Sequence, residues 1–336
     1  MAELAKPSAG YAGGTAGRGW FRLMLGLIVR RVLLMLATAI AISALLFFAV
    51  TQLLGSPAAM MLGQDASPQA ISALNLKYGF DRPAIVQYLH WLTGALTGDL
   101  GRSYTTQQSV ATAIATRIPV TLELSLWSIA LAVTAAVVCN TIPTGRRVLQ
   151  PVVTVANLIG ITVPNFMLGV SLIFILSVKL DLLPSTGWVP WSDGVGAHLE
   201  HMIMPVLTLS AYYFGAFSIV YRAEYQDVVR RPFVRVAQAK GLGEWRVAFR
   251  HAAPNAILPV ITFVGISMGQ LAGGAVVTET IFSMPGTGRL FVASIESRDF
   301  PVMLAIGMLI VVGVVVMNLL ADIAYAVVNP QIRHDL

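Results

Sequence analysis

The stretch Val32-Leu-Leu-Met-Leu-Ala-Thr-Ala-Ile-Ala-Ile-Ser-Ala-Leu-Leu-Phe-Phe-Ala-Val-Thr-Gln-Leu-Leu54 decides the fold, because it runs from end to end without a charged side chain. The hydrocarbon core of a bilayer is about 30 Å thick, and a helix needs roughly 20 apolar residues to cross it. The run is also longer than the roughly 7–15-residue apolar core of a secretory signal. It therefore reads as a permanent helix, in spite of the small residues Ser56, Pro57, Ala58 and Ala59 that follow it. Five further apolar runs lie at 118–142, 151–178, 203–221, 258–282 and 301–328. Hydrophobic residues make up 56% of the chain and charged ones 11%, against about 45–50% and 25% in soluble domains, so the bilayer is the solvent. Hydrocarbon cannot satisfy backbone groups, and each span must be helical. The expected fold is an all-α membrane protein with six transmembrane helices.

Six spans put both termini on one side. If that side is the cytoplasm, the inner segments carry Lys6, Arg18, Arg22, Arg30 and Arg31, then Arg146 and Arg147. They also carry Arg222, Arg230, Arg231, Arg235, Lys240, Arg246 and Arg250, and finally Arg333, which leaves seven of the 22 Lys and Arg outside. Positive charge concentrates on the inner side of membrane proteins, so topology explains the net charge of +6 without nucleic acid. Residues 1–31 read as a cytoplasmic tail and 329–336 as a second. The first 20 are rich in Gly, Ala and Ser with no apolar period, which predicts disorder. The one cysteine, Cys139, sits inside an apolar run, so neither a disulfide framework nor a cysteine metal site is available.

The external segment 55–117 shows helix signals of its own. Ser67 followed by Pro68 marks a helix start, and Gly79 a stop. After Pro83 the residues Ile85, Tyr88, Leu89, Leu92 and Leu96 recur at helical spacing and give one apolar face. The segment reads either as a packed cap on the bundle or as a docking platform for a partner.

Between the fourth and fifth spans, the segment 224–258 interleaves charges with Val228, Val229, Phe233, Val236, Ala237, Leu242, Trp245, Val247 and Phe249. Pro232 opens a helix, and Gly241 and Gly243 break one. The pattern predicts a short amphipathic helix, a turn, and a second helix through Arg250 back to the membrane. Such a helix can enter a groove on a cytoplasmic partner or adsorb to anionic lipid, and the residues alone leave both open.

The stretch from Phe233 to Asn255, with Lys240-Gly-Leu-Gly243 and Arg250-His-Ala-Ala-Pro-Asn255, followed by Ala-Ile-Leu-Pro259, resembles the EAA loop of binding-protein-dependent ABC importer permeases. It is most similar to the dipeptide and oligopeptide class. Arg235-Val-Ala237 stands where the general motif has Glu-Ala-Ala, and in His251-Ala-Ala-Pro254 only Pro254 keeps its place. Gly98-Asp-Leu-Gly-Arg-Ser103, Thr121-Leu-Glu-Leu124, Pro164-Asn-Phe166, Gly273 to Phe282, Pro285-Gly-Thr-Gly-Arg289, Arg298-Asp-Phe-Pro301 and Asn318 to Tyr325 are similar to further signatures of the class, in order along the chain. Asn329-Pro-Gln-Ile-Arg333 departs from the usual ending.

The resemblance implies a type I ABC importer permease fold with both termini cytoplasmic, in a bacterial inner membrane. It makes 224–258 a coupling loop with its coupling helix around Ala237–Gly243, and assigns ATPase coupling to Arg235, Ala237, Ala239, Lys240, Gly241, Leu242, Gly243, Arg250 and His251. The partners it implies are a second homologous permease, two ATPase subunits or domains, an extracytoplasmic substrate-binding protein and membrane lipid. ATP and Mg would sit on the ATPases, with no cofactor on this chain. The expected cargo is di- or oligopeptides. The same class also carries nickel chelates, glutathione, opines and sugars.

Gly265, Gly269 and Gly273 recur every four residues along the fifth run, a stripe that lets another helix approach closely, either for packing or beside a translocation path. Asn318, Asp322 and Tyr325 share a helical face, and Glu279 lies near the outer end of the fifth run. Acidic residues at membrane depth are costly. Asp322 therefore reads as an interhelical hydrogen-bond partner, or as the relay of a proton-coupled secondary transporter. Glu279 reads as a packing group or a substrate contact. His198 and His201 are three apart, but zinc needs more ligands, and only Glu200 and Asp193 are near in sequence. No Gly-x4-Gly-Lys-[Ser/Thr] loop occurs to cradle ATP phosphates, and no catalytic constellation follows from spacing. An ATP-driven importer subunit, a secondary transporter and a membrane scaffold or channel are the three function classes that remain, and the coupling-loop motif favours the first.

Overall fold

The computed structural model describes residues 16–54, 57–62, 66–142 and 149–328. The tails 1–15 and 329–336, Arg146 and Arg147, and the side chains of Asp322 and Tyr325 lie outside the described residues. Among the described residues there are helices and loops but no strand, only an isolated bridge between Arg102 and Ser109.

The chain runs through α1 (Ala16–Leu54), α2 (Pro57–Leu62), α3 (Pro68–Tyr78), α4 (Ala84–Leu96), α5 (Val110–Ala115), α6 (Ile118–Thr141), α7 (Leu149–Thr162) and α8 (Asn165–Leu172), the last extended by wider π-helical turns at Ile173–Lys179. It continues with α9 (Val195–Val229), α10 (Pro232–Ala239), α11 (Glu244–Arg246), π-helical turns at Val247–Ala252, α12 (Ala253–Ala256), α13 (Leu258–Ile281), α14 (Thr287–Glu296) and α15 (Phe300–Val328). Among the described residues, four helical stretches are long and apolar enough to cross a bilayer: Val32–Thr51, Val110–Thr141, Val195–Val229 and Phe300–Leu320. Two bent pairs raise the number to six if each pair is one span.

Two expectations need correction. Helix α1 begins at Ala16, ahead of the apolar run and inside the stretch expected to be a disordered tail; from Trp20 onward the sequence has enough apolar residues among its arginines to continue the helix. The run 151–178 is not one straight span. It is two helices, Gln150–Thr162 and Asn165–Lys179, bent by 116°. Pro164 supplies the break with extended backbone (φ −57°, ψ 140°), because its ring removes an N–H and disfavours helical backbone at the residue before it.

The main core lies around α9, which packs against α6, α7, α8 and α13. Leu124, Met204, Leu209, Phe217, Tyr221, Leu271, Phe282 and Met284 are fully buried there. A second cluster of Phe47, Val50, Tyr88, Phe300, Met303 and Leu304 ties α1 and α4 to α15. The helices expected within 55–117 form. The Ser67 hydroxyl accepts from the Ala70 N–H at 3.2 Å, and Gly79 ends α3 at φ +72°, the left-handed region that favours glycine. The apolar residues of α4 divide, however. Tyr88 is buried and packs with Trp91 and Leu92, whereas Ile85, Leu89 and Leu96 face outward.

Candidate functional site

The loop after α9 is built as the sequence predicts, and its sidedness is now explicit. Pro232 opens α10, Gly241 takes a left-handed backbone (φ +75°) that a side chain would strain, and α11 starts a second helix that returns through Val247–Ala252 and α12 to α13. One face of α10 points at the bundle. Val234 and Ala237 are buried in the same core cluster as Val228, Val247, Ala252, Ala256 and Phe217. Apolar contact is therefore continuous from the loop into α9 and α13, and interiors packed this densely transmit displacement. Its other side holds Phe233 and Val236 (42% and 52% exposed) with the exposed Arg235 and Lys240, and α11 exposes Trp245 (58%) and Arg246. The Trp245 and Phe249 rings stack, with centroids 5.5 Å apart. Arg231 pairs with Glu224 at 3.4 Å.

The candidate coupling residues therefore separate. Arg235, Ala239, Lys240, Gly241, Gly243 and Arg250 are exposed, Leu242 and His251 are half-buried, and Ala237 is an anchor in the core. Gly243 has φ −60°, so its backbone does not require glycine. The exposed Phe233, Val236 and Trp245 stand out only once the helix faces are known.

At the other end of α13, Glu279 is fully buried. Its Oε1 accepts from the Thr121 hydroxyl at 2.6 Å and its Oε2 from the Arg289 N–H at 3.0 Å, with the Gly288 N–H as a further donor. Residues 287–289 are the first turn of α14, so the carboxylate sits at a helix N-terminus, where unpaired N–H groups favour an anion. A Cβ at Gly286 would collide with this carboxylate, and one at Gly288 would come within 3.0 Å of Oε2. That explains why both positions are glycine. Three separate stretches, 121–124, 273–282 and 285–289, thus meet at one buried group. Glu279 is fully engaged in holding α6, α13 and α14 together.

The family described as "Binding-protein-dependent transport system inner membrane component" matches residues 128–334, and its N-terminal companion, "Binding-prot-dependent transport system membrane comp, N-term", matches 24–125. The chain belongs to this permease family. Glutathione transport system permease protein GsiC of Escherichia coli strain K12 is 36% identical over 314 residues, covering 93% of this chain and all of the relative. A Brucella melitensis protein named "Putative peptide transport system permease protein" is 34% identical over 319 residues, with the same coverage. The chain is thus an ABC importer permease subunit, a multi-pass component of the inner membrane.

Two more junctions brace the permease at the Glu279 end. Asp299 (4% exposed) accepts from the Ser103 hydroxyl and from the Tyr104 N–H at 3.0 Å, joining the 98–103 stretch to 298–301. Burial, and then the Asp299 charge, push the Tyr104 phenol far above its usual range, so it stays neutral. Glu123 Oε1 lies 3.0 Å from His198 Nε2 and accepts from Trp191 Nε1 at 2.8 Å. The His198 ring stacks on Trp191 with centroids 3.9 Å apart, and its Nδ1 lies 2.5 Å from the Val189 carbonyl. His201 turns instead to the Ala197 carbonyl, so the two histidines do not converge.

The glycine stripe is also revised. A Cβ on Gly269 would meet Asn318 Oδ1 at 3.4 Å and Val314 Cγ1 at 3.5 Å, so α13 and α15 touch there. Gly265 is half-buried, and Gly273 has open space. Of these positions, contact with α15 is seen at Gly269. The close helix approach lies elsewhere: a Cβ on Gly160 of α7 would strike the Ala211 carbonyl of α9, and one on Gly215 would lie 2.7 Å from the Asn157 carbonyl. These two reciprocal contacts allow near backbone contact between α7 and α9.

Proposed function

We propose that this permease forms half of a translocation path for short peptides and is driven by separate ATPases that grip the outer face of α10. The observation that carries this reading is the two-sided α10. Val234 and Ala237 fix it to the bundle core, while Phe233 and Val236 stand exposed on the other side. A helix anchored in this way moves the spans when a partner moves it, and a helix merely resting on lipid does not need the anchor. ATP and Mg reside on the two ATPase subunits, and ATP-driven closure swings the spans between inward-open and outward-open states. A second homologous permease completes the path, and an extracytoplasmic binding protein delivers the cargo. Both termini and the 224–258 loop lie in the cytoplasm. The relatives' names support peptide cargo, and glutathione, itself a modified tripeptide, falls in the same chemical class.

The test is reconstitution of the complex that co-purifies with this subunit into proteoliposomes, followed by uptake of a labelled dipeptide and of glutathione with ATP inside or outside. Uptake that requires ATP on the α10 side and a binding protein on the other supports the reading. Uptake by the subunit alone, without ATP and abolished by Asp322→Asn, would replace it with a proton-coupled transporter.

A further inference from the structure

A cavity of about 550 Å³ opens between the α3–α4 segment and the adjoining ends of α1 and α15, within the roughly 300–1,000 Å³ of small-molecule sites. It lies at the end of the bundle opposite α10, because α13 carries the chain from one end to the other before α14 and α15. Lys77, Arg82 and Arg102 line it, with Asp99 as the one carboxylate on its wall, and Asp99 Oδ1 already accepts from the Gly101 N–H at 2.9 Å. Three of the seven cations expected on this side thus gather around one cavity. Among the described residues, none of the three has a carboxylate within 4.0 Å. Trp91, also on the wall, has a buried Nε1–H with no hydrogen-bond partner. The Trp91 donor is covered and adds nothing to the cavity, and Arg102 Nη1 donates to the Gln107 carbonyl at 3.3 Å, so what the site offers is three cations without a carboxylate partner, an arrangement suited to an anion.

Its other wall is apolar and belongs to two candidate spans, α1 and α15. Phe47 lies seven residues before the end of α1, about 10 Å along the helix, and Phe300 and Leu304 belong to the first turns of α15. Beside the opening, α4 exposes Ile85, Val86, Leu89 and Leu96, as expected of a helix lying in the interface. Trp91, Tyr78 and Tyr104 add the aromatic side chains typical of that zone. A soluble anion has no use for the exposed apolar face of α4, whereas a lipid places its phosphate among the cations and its chains along Val86, on the cavity wall, and Leu89.

We propose that this cavity binds the phosphate headgroup of an anionic phospholipid from the leaflet opposite the coupling loop. The inference concerns a lipid site and is independent of which cargo the permease carries.

The experiment is native mass spectrometry of the delipidated full chain, with whatever subunits co-purify, titrated with phosphatidylglycerol, phosphatidylcholine or inorganic phosphate. The wild type should retain one phosphatidylglycerol with about tenfold preference over phosphatidylcholine, since each interfacial cation favours anionic lipid. Arg82→Gln with Arg102→Gln should remove the preference, the Arg→Lys pair should largely keep it, and Lys179→Gln, outside the cavity, should not change it. Should the double Gln variant fail to fold, the exposed Lys77→Glu must still lower the preference. Equal binding of the two lipids would overturn the proposal, as would an unchanged preference in the cavity variants. Displacement of the bound lipid by millimolar inorganic phosphate would make the site a general anion site and overturn the lipid assignment.

Discussion

Replacing Glu279 by Ala would strand two backbone N–H groups, those of Arg289 and Gly288, that now bond to its fully buried carboxylate. Each stranded buried donor costs about 1–3 kcal/mol, and the lost anion at the α14 N-terminus adds about 0.3–1 kcal/mol. The Thr121 hydroxyl suffers less, because Thr287 Oγ1 lies 2.9 Å away and can take its hydrogen bond. The sum is about 2–7 kcal/mol for Ala. Gln keeps one acceptor and should cost about half as much. Unfolding of such a protein is commonly irreversible, so the variants must be compared at one heating rate. Fluorescence-detected size-exclusion of the heated, detergent-solubilised protein should show an apparent Tm lower by about 5–10 °C for Ala and by a smaller amount for Gln. If Glu279 faced cargo instead, Glu279→Ala would melt like the wild type and lose only transport. That result, or Gln being worse than Ala, would refute the lock.

Four further outcomes follow from the geometry. Asp299→Asn weakens the hold on Ser103 and Tyr104 and should cost about 1–3 kcal/mol, read as a lower apparent Tm and faster proteolysis between residues 98 and 109. Gly241→Ala forces a side chain into left-handed backbone at about 1 kcal/mol, while Gly243→Ala should be nearly neutral; paired melting curves distinguish them. Gly215→Leu drives a side chain into the Asn157 carbonyl and the Ile161 side chain and should sharply reduce the yield of monodisperse protein, whereas Gly273→Leu, with open space, should not. Ala237→Asp buries an unpaired charge in the core and should abolish stable expression, but Val236→Asp, on the exposed face, should leave the apparent Tm within about 1 °C, since surface changes cost under about 0.5 kcal/mol.

Much of this was legible in the chain, because a bilayer imposes a length that composition must meet. The spans at 118–142, 258–282 and 301–328 end within a residue or two of α6, α13 and α15. The bend at Pro164 was written in the sequence but hidden by apolar residues on both sides, which fit one long span as well as two short helices. The coupling helix was readable from Pro232 and Gly241, yet its faces were not: Val234, Val236 and Ala237 are all small or apolar, and only packing shows that the first and third turn inward. The Glu279 lock joins residues 158 positions apart, and no local period carries such a pairing. Gly160 and Gly215 are isolated glycines in apolar runs, so the regular but looser Gly265, Gly269 and Gly273 stripe drew the interface to itself.

The central claim is that the outward face of α10 docks on an ATPase while its inward face drives the spans. It is tested most directly by cysteine cross-linking in a Cys139→Ser background, which removes the one native thiol. Val236→Cys and Ala237→Cys would each be treated with a short bifunctional thiol reagent in membranes containing the assembled complex. The account predicts a covalent adduct between this subunit and an ATPase at 236, changing in yield with nucleotide, and none at 237. An adduct at 237 but not 236, or no ATPase adduct at either while the complex still transports, would contradict it.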